Sequence, residues 1–124
     1  MKTLLFIPFL FVCSMVIGQS SKIIGVPIEI GSLEVAQNDF PKGMAWSEAR
    51  RACANLGSGW RLPTKDELNF LYINQKKIGG FGWFTYWSSM ESDYDNAWAH
   101  RFGTGIQDRF NKNIDFNVRA VRSF

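Results

Sequence analysis

The sequence predicts an α+β domain, and three observations carry that prediction. A 3.6-residue apolar period runs through Ala45, Ala49, Ala52, Cys53 and Leu56 and stops at Gly57-Ser58-Gly59. A capping box, Thr64-Lys65-Asp66-Glu67, opens a second helix. Beyond Gly79 the period falls to two, which is strand spacing. The 124 residues suit one domain, and a composition 46% hydrophobic and 15% aromatic excludes wholesale disorder. No internal repeat is visible.

Taken in order, residues 1–18 read as a secretory signal: Lys2, an apolar run from Leu4 to Ile17, then Val16-Ile17-Gly18. The run is short for a membrane span, so the mature chain is expected to begin at Gln19 and to have no span. The expected location is secreted, periplasmic or cell surface. Cys13 lies inside the apolar run rather than behind a small-residue box, which argues against lipidation.

Residues 19–124 then form the folded domain. Ser20-Ser21 is a polar leader. Val26, Ile28 and Ile30 alternate with Pro27, Glu29 and Gly31, where the proline favours an edge or a strand start, and Leu33 and Val35 resume the alternation. Asn38–Gly43 reads as a loop. The first helix is expected over about 45–56, where Gly57 can take a left-handed C-cap. Trp60-Arg61-Leu62-Pro63 is extended, because a residue before proline avoids helix. The second helix is expected over 64–77, with Leu68, Leu71 and Tyr72 buried and Gly79-Gly80 ending it. Strands follow at Tyr86–Ser89, Ala97–Phe102 and Ile106–Phe110, the last after a Gly103-Thr104-Gly105 turn. Asn111–Asn117 reads as polar loop and Val118–Val121 as a closing strand.

Charge and cysteine content narrow the function. Without Lys2, 13 basic residues face 11 acidic ones, and no clustered basic stripe marks a nucleic-acid interface. The expected mature chain has one cysteine, Cys53, so it forms no internal disulfide and no Cys-rich zinc site. Cys53 lies on the apolar helix face and reads as buried. His100 is the lone histidine. It reads as a partly exposed strand residue rather than a general base, and no nucleophile elbow or selected carboxylate pair accompanies it. The expectation is no enzyme.

The strings Trp46-Ser47-Glu48-Ala49, Cys53, Gly59-Trp60-Arg61-Leu62-Pro63-Thr64 with Glu67-Leu68, Tyr86-Trp87-Ser88-Ser89 and Val118-Arg119-Ala120-Val121-Arg122 resemble a known family. It is the C-type-lectin-like domain of bacterial surface proteins, of the collagen-like-adhesin C-terminal and "major paralogous domain" type. That family is distantly similar to the formylglycine-generating enzyme fold, and the resemblance covers about residues 22–124. It implies two helices flanking short antiparallel strands, the terminal strands paired in one sheet, and a loop region that carries ligands. It further implies that Trp60 and Trp87 are core and that Arg61, Arg119 and Arg122 make ion pairs or backbone hydrogen bonds. The formylglycine chemistry needs paired cysteines, which the expected mature chain lacks.

Two segments are candidate sites. The loop Gly79–Tyr86 offers Phe81, Trp83, Phe84 and Tyr86, rings that could stack on sugars or plug the core, with Trp83 expected to be the most exposed. Glu91, Asp93, Asp95 and Asn96 present oxygen ligands at calcium-loop spacing. They lack an EF-hand's central glycine and terminal glutamate, and the Glu-Pro-Asn or Gln-Pro-Asp string of sugar-binding C-type lectins; the plainer reading is a solvated acidic turn. Ligand binding is therefore expected at Phe81, Trp83, Phe84, Tyr86, Asp93, Asp95 and Asn96, without a required cofactor. The expected partner is a glycan or protein at the cell envelope. The alternative is a structural or interaction component of an envelope assembly, using the edge strand Val26–Ile30.

Overall fold

The computed structural model describes residues 20–124; the signal-peptide expectation for 1–18 lies outside them. Two three-stranded antiparallel sheets and two principal helices make up the domain. Strands β1 (Ile28–Ile30), β2 (Leu33–Val35) and β6 (Val121–Ser123) form one sheet in the order β1-β2-β6. Strands β3 (Thr85–Glu91), β4 (Asn96–Arg101) and β5 (Gln107–Asn111) form the other in sequence order. The helices are α1 (Trp46–Ala54), α2 (Lys65–Ile73) and the single turn α3 (Gln75–Ile78). No helix among the described residues is long and apolar enough to cross a membrane.

The first and last strands share a sheet because β2 bonds both β1 and β6. Glu34 lies opposite Arg122, and their side chains meet at 3.2 Å, an ion pair laid across the ladder. Two core clusters flank the β3–β4 pair. Trp46, Ala49 and Cys53 of α1 pack with Trp60, Trp87, Ala97 and Ala99 on one side. Leu68 and Leu71 of α2 pack with Tyr86, Phe102 and Val121 on the other. Burial pushes the Cys53 thiol up to about 12, which leaves it protonated and inert.

The α2 N-terminus is locally encoded. Thr64 Oγ1 accepts from the Glu67 amide and Glu67 Oε1 accepts from the Thr64 amide. Arg61 grips the same carboxylate with both Nη atoms, at 2.6 and 2.9 Å. That pairing, together with the Thr64 amide, holds Glu67 below the usual carboxylate range.

Several expectations need correction. The second helix breaks at Asn74 (φ −100, ψ 15) rather than running to 77. There the side-chain amide donates to the Phe70 carbonyl and competes with the helix backbone. The polar leader Ser20-Ser21 opens a short helical stretch over residues 20–24 that the sequence reading did not include. The closing strand is Val121–Ser123; residues 118–120 instead pair with loops, Val118 and Ala120 accepting from Phe40 and Ala36. Asn111–Asn117 is not free loop, since Phe116 bridges Met44 and Asn117 bridges Tyr86.

His100 is the largest correction, for it is buried rather than partly exposed. At this point the sheet is covered on both sides: Ala99 faces the first cluster, and the His100 ring stacks with Tyr72 (4.9 Å) and Phe102 (5.2 Å). Neither ring nitrogen has a hydrogen-bond partner among the described residues, and burial holds the imidazole below its ordinary pKa. The unfolded chain, titrating near ~6.5, therefore binds more protons than the folded one in the window just below that value. Stability is present above about pH 6.5 and falls as the solution is acidified toward the folded pKa. Thermal melts should show a falling Tm from about pH 7 to 5, and a shallower fall for His100→Leu. Equal slopes would mean that His100 does not titrate in this range.

Candidate ligand-binding face

The loop between α3 and β3 is held from below by a buried polar network. The Arg119 side chain, 0% exposed, donates through Nε to Asp39 Oδ1 at 2.7 Å. Its Nη1 reaches the carbonyls of Ala36 and Gly79. Tyr86 donates to the other Asp39 oxygen at 2.6 Å and accepts from the Gly82 amide at 3.1 Å. Burial and the neighbouring Asp39 push the Tyr86 phenol far up, so it stays protonated as a donor. The Phe81 ring covers the guanidinium at 4.1 Å and packs edge-on to Tyr86.

Glycine is required at one point of this loop, Gly80, and Gly82 is closely neighboured by a ring. Gly80 has φ +79, and a Cβ there would stand 2.9 Å from Arg119 Nη2. At Gly82 a Cβ would meet the Phe84 ring, which folds back over the backbone. The buried network therefore fixes the loop at the Gly79 carbonyl and the Gly82 amide. What it presents outward is Trp83, 87% exposed, and Phe84, 55% exposed.

Of the candidate rings, two are therefore surface and two are not. Tyr86 must be removed from the ligand face: it is fully buried, because the alternation of β3 turns it into the second cluster. Phe81 is half-buried against the same cluster.

The acidic segment is not part of this face. Trp83–Phe84 precede the first residue of β3 and Glu91 is its last, so the two candidates lie about 20 Å apart along the strand. At the far end Asp93 Oδ1 accepts from the amides of Asp95 and Asn96 and from the Asn96 side chain. The Asn96 side-chain bond, with the Asp95 amide, lowers the Asp93 pKa. Glu91 turns to Lys112 at 2.7 Å, and Asp95 is exposed. Among the described residues no group of three or more His, Cys, Asp or Glu is placed to hold a metal. Glu91 is engaged by Lys112 and Asp93 by the turn, which leaves Asp95 as the one carboxylate of the segment with no partner among the described residues.

What lies beside Trp83 is the β4–β5 turn. A Cβ on Gly103 would stand 3.7 Å from the Trp83 carbonyl and 3.8 Å from its Cβ, an ordinary contact distance. The Phe102 amide donates to the Phe84 carbonyl at 2.9 Å, tying turn to loop. Sequence reasoning treated Gly103–Gly105 as a bare connection and missed this neighbour. It also missed Asp39, whose partners lie 80 and 47 residues away. A separate groove of about 920 Å³ runs between Ile23, Phe40, Pro41 and Leu56. Its Asn38 and Asp39 side chains are already spent on Lys22, Arg119 and Tyr86.

The architecture is that of C-type-lectin-like proteins. Botrocetin superposes with a TM-score of 0.59 at 11% identity, over 81% of this chain and 98% of its own. A chain in the complex of botrocetin with a mutant von Willebrand factor A1 domain gives 0.54 at 15%, over 81% and 98%. The snake venom toxin convulxin gives 0.53 at 13%, over 81% and 95%. At such identities the likeness shows the fold, and no curated protein matches the sequence. Residues 27–122 match the family model described as the Lcl C-terminal domain, nearly all of the folded chain, and the protein belongs to that family.

Proposed function

We propose that this domain is an exported, non-catalytic recognition module of the bacterial surface-adhesin kind. It binds a glycan or protein at the cell envelope through the Trp83–Phe84 loop. The observation that carries this reading is an indole standing almost wholly in solvent on a loop locked by the buried Arg119–Asp39–Tyr86 network. Preorganising a ring before contact removes an ordering cost that binding would otherwise bear. Botrocetin, which shares the fold, forms a complex with a protein domain, so the scaffold is compatible with recognition of a macromolecule.

A second reading, an interaction component without a small ligand, draws on β1. Among the described residues that strand pairs only with β2 and its other edge is unpaired, and Val26 beside it is 78% exposed.

The test is to probe a glycan array and immobilised fibronectin, collagen and mucin with the wild type, Trp83→Ala and Glu29→Pro. Trp83 makes so little packing contact that its truncation should leave the melting temperature nearly unchanged, within about 0.5 kcal/mol. Signals lost in Trp83→Ala and kept in Glu29→Pro support the loop. The opposite pattern assigns binding to the strand edge and overturns the loop reading.

A further inference from the structure

We infer that the open edge of β1 takes an extended segment of a partner protein, apolar–basic–apolar in sequence, as an added strand. The inference rests on the second reading above, the interaction component, and names the partner's chemistry. The Trp83 loop has no part in it, since that loop precedes a strand of the other sheet. Three observations converge on it.

First, the backbone of the edge is set to pair. Gly31-Ser32 is a two-residue turn, with Gly31 at φ +59, closing the hairpin on the pair Ile30–Leu33. That closing pair is hydrogen-bonded, so by alternation Glu29 faces Glu34 as a non-hydrogen-bonded pair. The Glu29 N–H and C=O therefore point away from β2, to the open side. No hydrogen bond among the described residues engages them outside the ladder. An added strand draws its affinity from such main-chain groups and its selectivity from the side chains around them.

Second, the charge row across the sheet is one cation short. Glu29 lies opposite Glu34, and Glu34 lies opposite Arg122. Arg122 is committed to Glu34 at 3.2 Å. Glu29 is exposed and pairs with no cation among the described residues. Like charges directly opposite one another are unfavourable in a ladder. A Lys or Arg on an added strand would stand opposite Glu29 and offset this. A second copy paired in the strand's own register would set Glu29 against Glu29. The row thus selects a basic partner and opposes self-pairing.

Third, an apolar floor continues past the edge. Arg61, which grips Glu67 in the first turn of α2, also donates to Ser123 of β6. Three residues on, Phe70 lies against the β1–β2 turn: a Cβ on Gly31 would stand 3.3 Å from its Cζ. Helix α2 therefore runs beneath the sheet from β6 toward β1. Ile73 comes a further ~4.5 Å along the helix, close to one strand spacing, and is 70% exposed. Ile28 and Ile30 turn to that same side, against the second core cluster. Residues flanking the basic one on an added strand would meet this floor, and apolar side chains suit it.

The experiment titrates the isotope-labelled protein with the peptide Ser-Thr-Val-Lys-Val-Thr-Ser and its counterpart with Glu for Lys, both capped, read by amide shifts. The lysine peptide should bind about fivefold more tightly or better, the scale of a cross-strand charge reversal. Its shifts should centre on Val26–Ile30 and Ile73. Glu29→Lys should invert the preference, which a merely structural Glu29 would not do. Ile73→Ser, a surface change, should weaken the lysine peptide about threefold or more, and Trp83→Ala should leave it unaltered. Absence of binding up to about 3 mM overturns the assignment, as does a preference that Glu29→Lys leaves in place. A dimer in sedimentation that Glu29→Pro abolishes gives the edge to a second copy and overturns it too. If both peptides fail while an arrayed protein is still lost in Glu29→Pro, the edge reading stands and only the partner's sequence pattern falls.

Discussion

Arg119→Ala should destabilise the protein by about 3–5 kcal/mol, the cost of removing one partner from a buried ion pair. That is a large share of the roughly 5–15 kcal/mol that holds a domain together. The guanidinium is fully enclosed and serves Asp39 and the carbonyls of Ala36 and Gly79 at once. Its loss leaves the Asp39 carboxylate, 15% exposed beside the groove, with only the Tyr86 hydroxyl among the described residues. Arg119→Lys should not rescue, because a single ammonium cannot reach three acceptors spread along a planar fork. The double variant Arg119→Met with Asp39→Leu should recover part of the loss by removing the orphaned charge along with its partner. Urea melts read these differences, and amide exchange at Gly82 should quicken in Arg119→Ala as the loop is released. A cost below about 1 kcal/mol would place the pair among ordinary surface bridges.

How far the sequence discloses such features depends on how local they are. The Thr64–Glu67 capping box spans three residues and appears in the structure as read. Cys53, Trp60 and Trp87 sit where helix period and motif put them. The Arg61, Arg119 and Arg122 ion pairs expected from the family resemblance are present. Their partners Asp39 and Glu34 were not legible, since nothing within a strand or loop announces a contact 80 or more residues away. His100 was misjudged because alternation tells which face a residue takes, not whether that face is covered; here both are. The candidate site was misjudged for a related reason. Phe81–Tyr86 and Glu91–Asn96 are neighbours in sequence, but strand β3, bulged between Trp87 and Glu91, carries them to opposite ends of the sheet. The turn that does adjoin Trp83 arrives from β4, through a ladder pairing Thr85 with Arg101.

Trp87→Ala should cost about 3–5 kcal/mol, the range for deleting a large buried aromatic. Trp87 is fully buried and packs edge-on to Phe116 at 4.8 Å. Its indole N–H donates to the Met44 carbonyl at 2.8 Å, and its backbone amide donates to Asn117. Three stretches distant in sequence therefore meet on this one residue: β3, the segment leading into α1, and the chain returning toward β6. Truncation leaves a cavity and removes one of the two donors of the Met44 carbonyl, which keeps only the longer bond from the Phe116 amide at 3.2 Å. Trp87→Phe separates them, since it keeps most of the ring volume but not the N–H. It should lose about 1–2 kcal/mol, the cost of one lost hydrogen bond and a smaller void. Denaturant melts of the two variants test the division. If Trp87→Phe is as damaging as Trp87→Ala, volume is not what the site requires. If it is harmless, the bond to Met44 contributes nothing. Either result would shift the weight of this junction onto the Met44–Phe116 bridge beside it and onto the Trp46 indole, which donates to the Ser88 carbonyl of β3 at 2.8 Å.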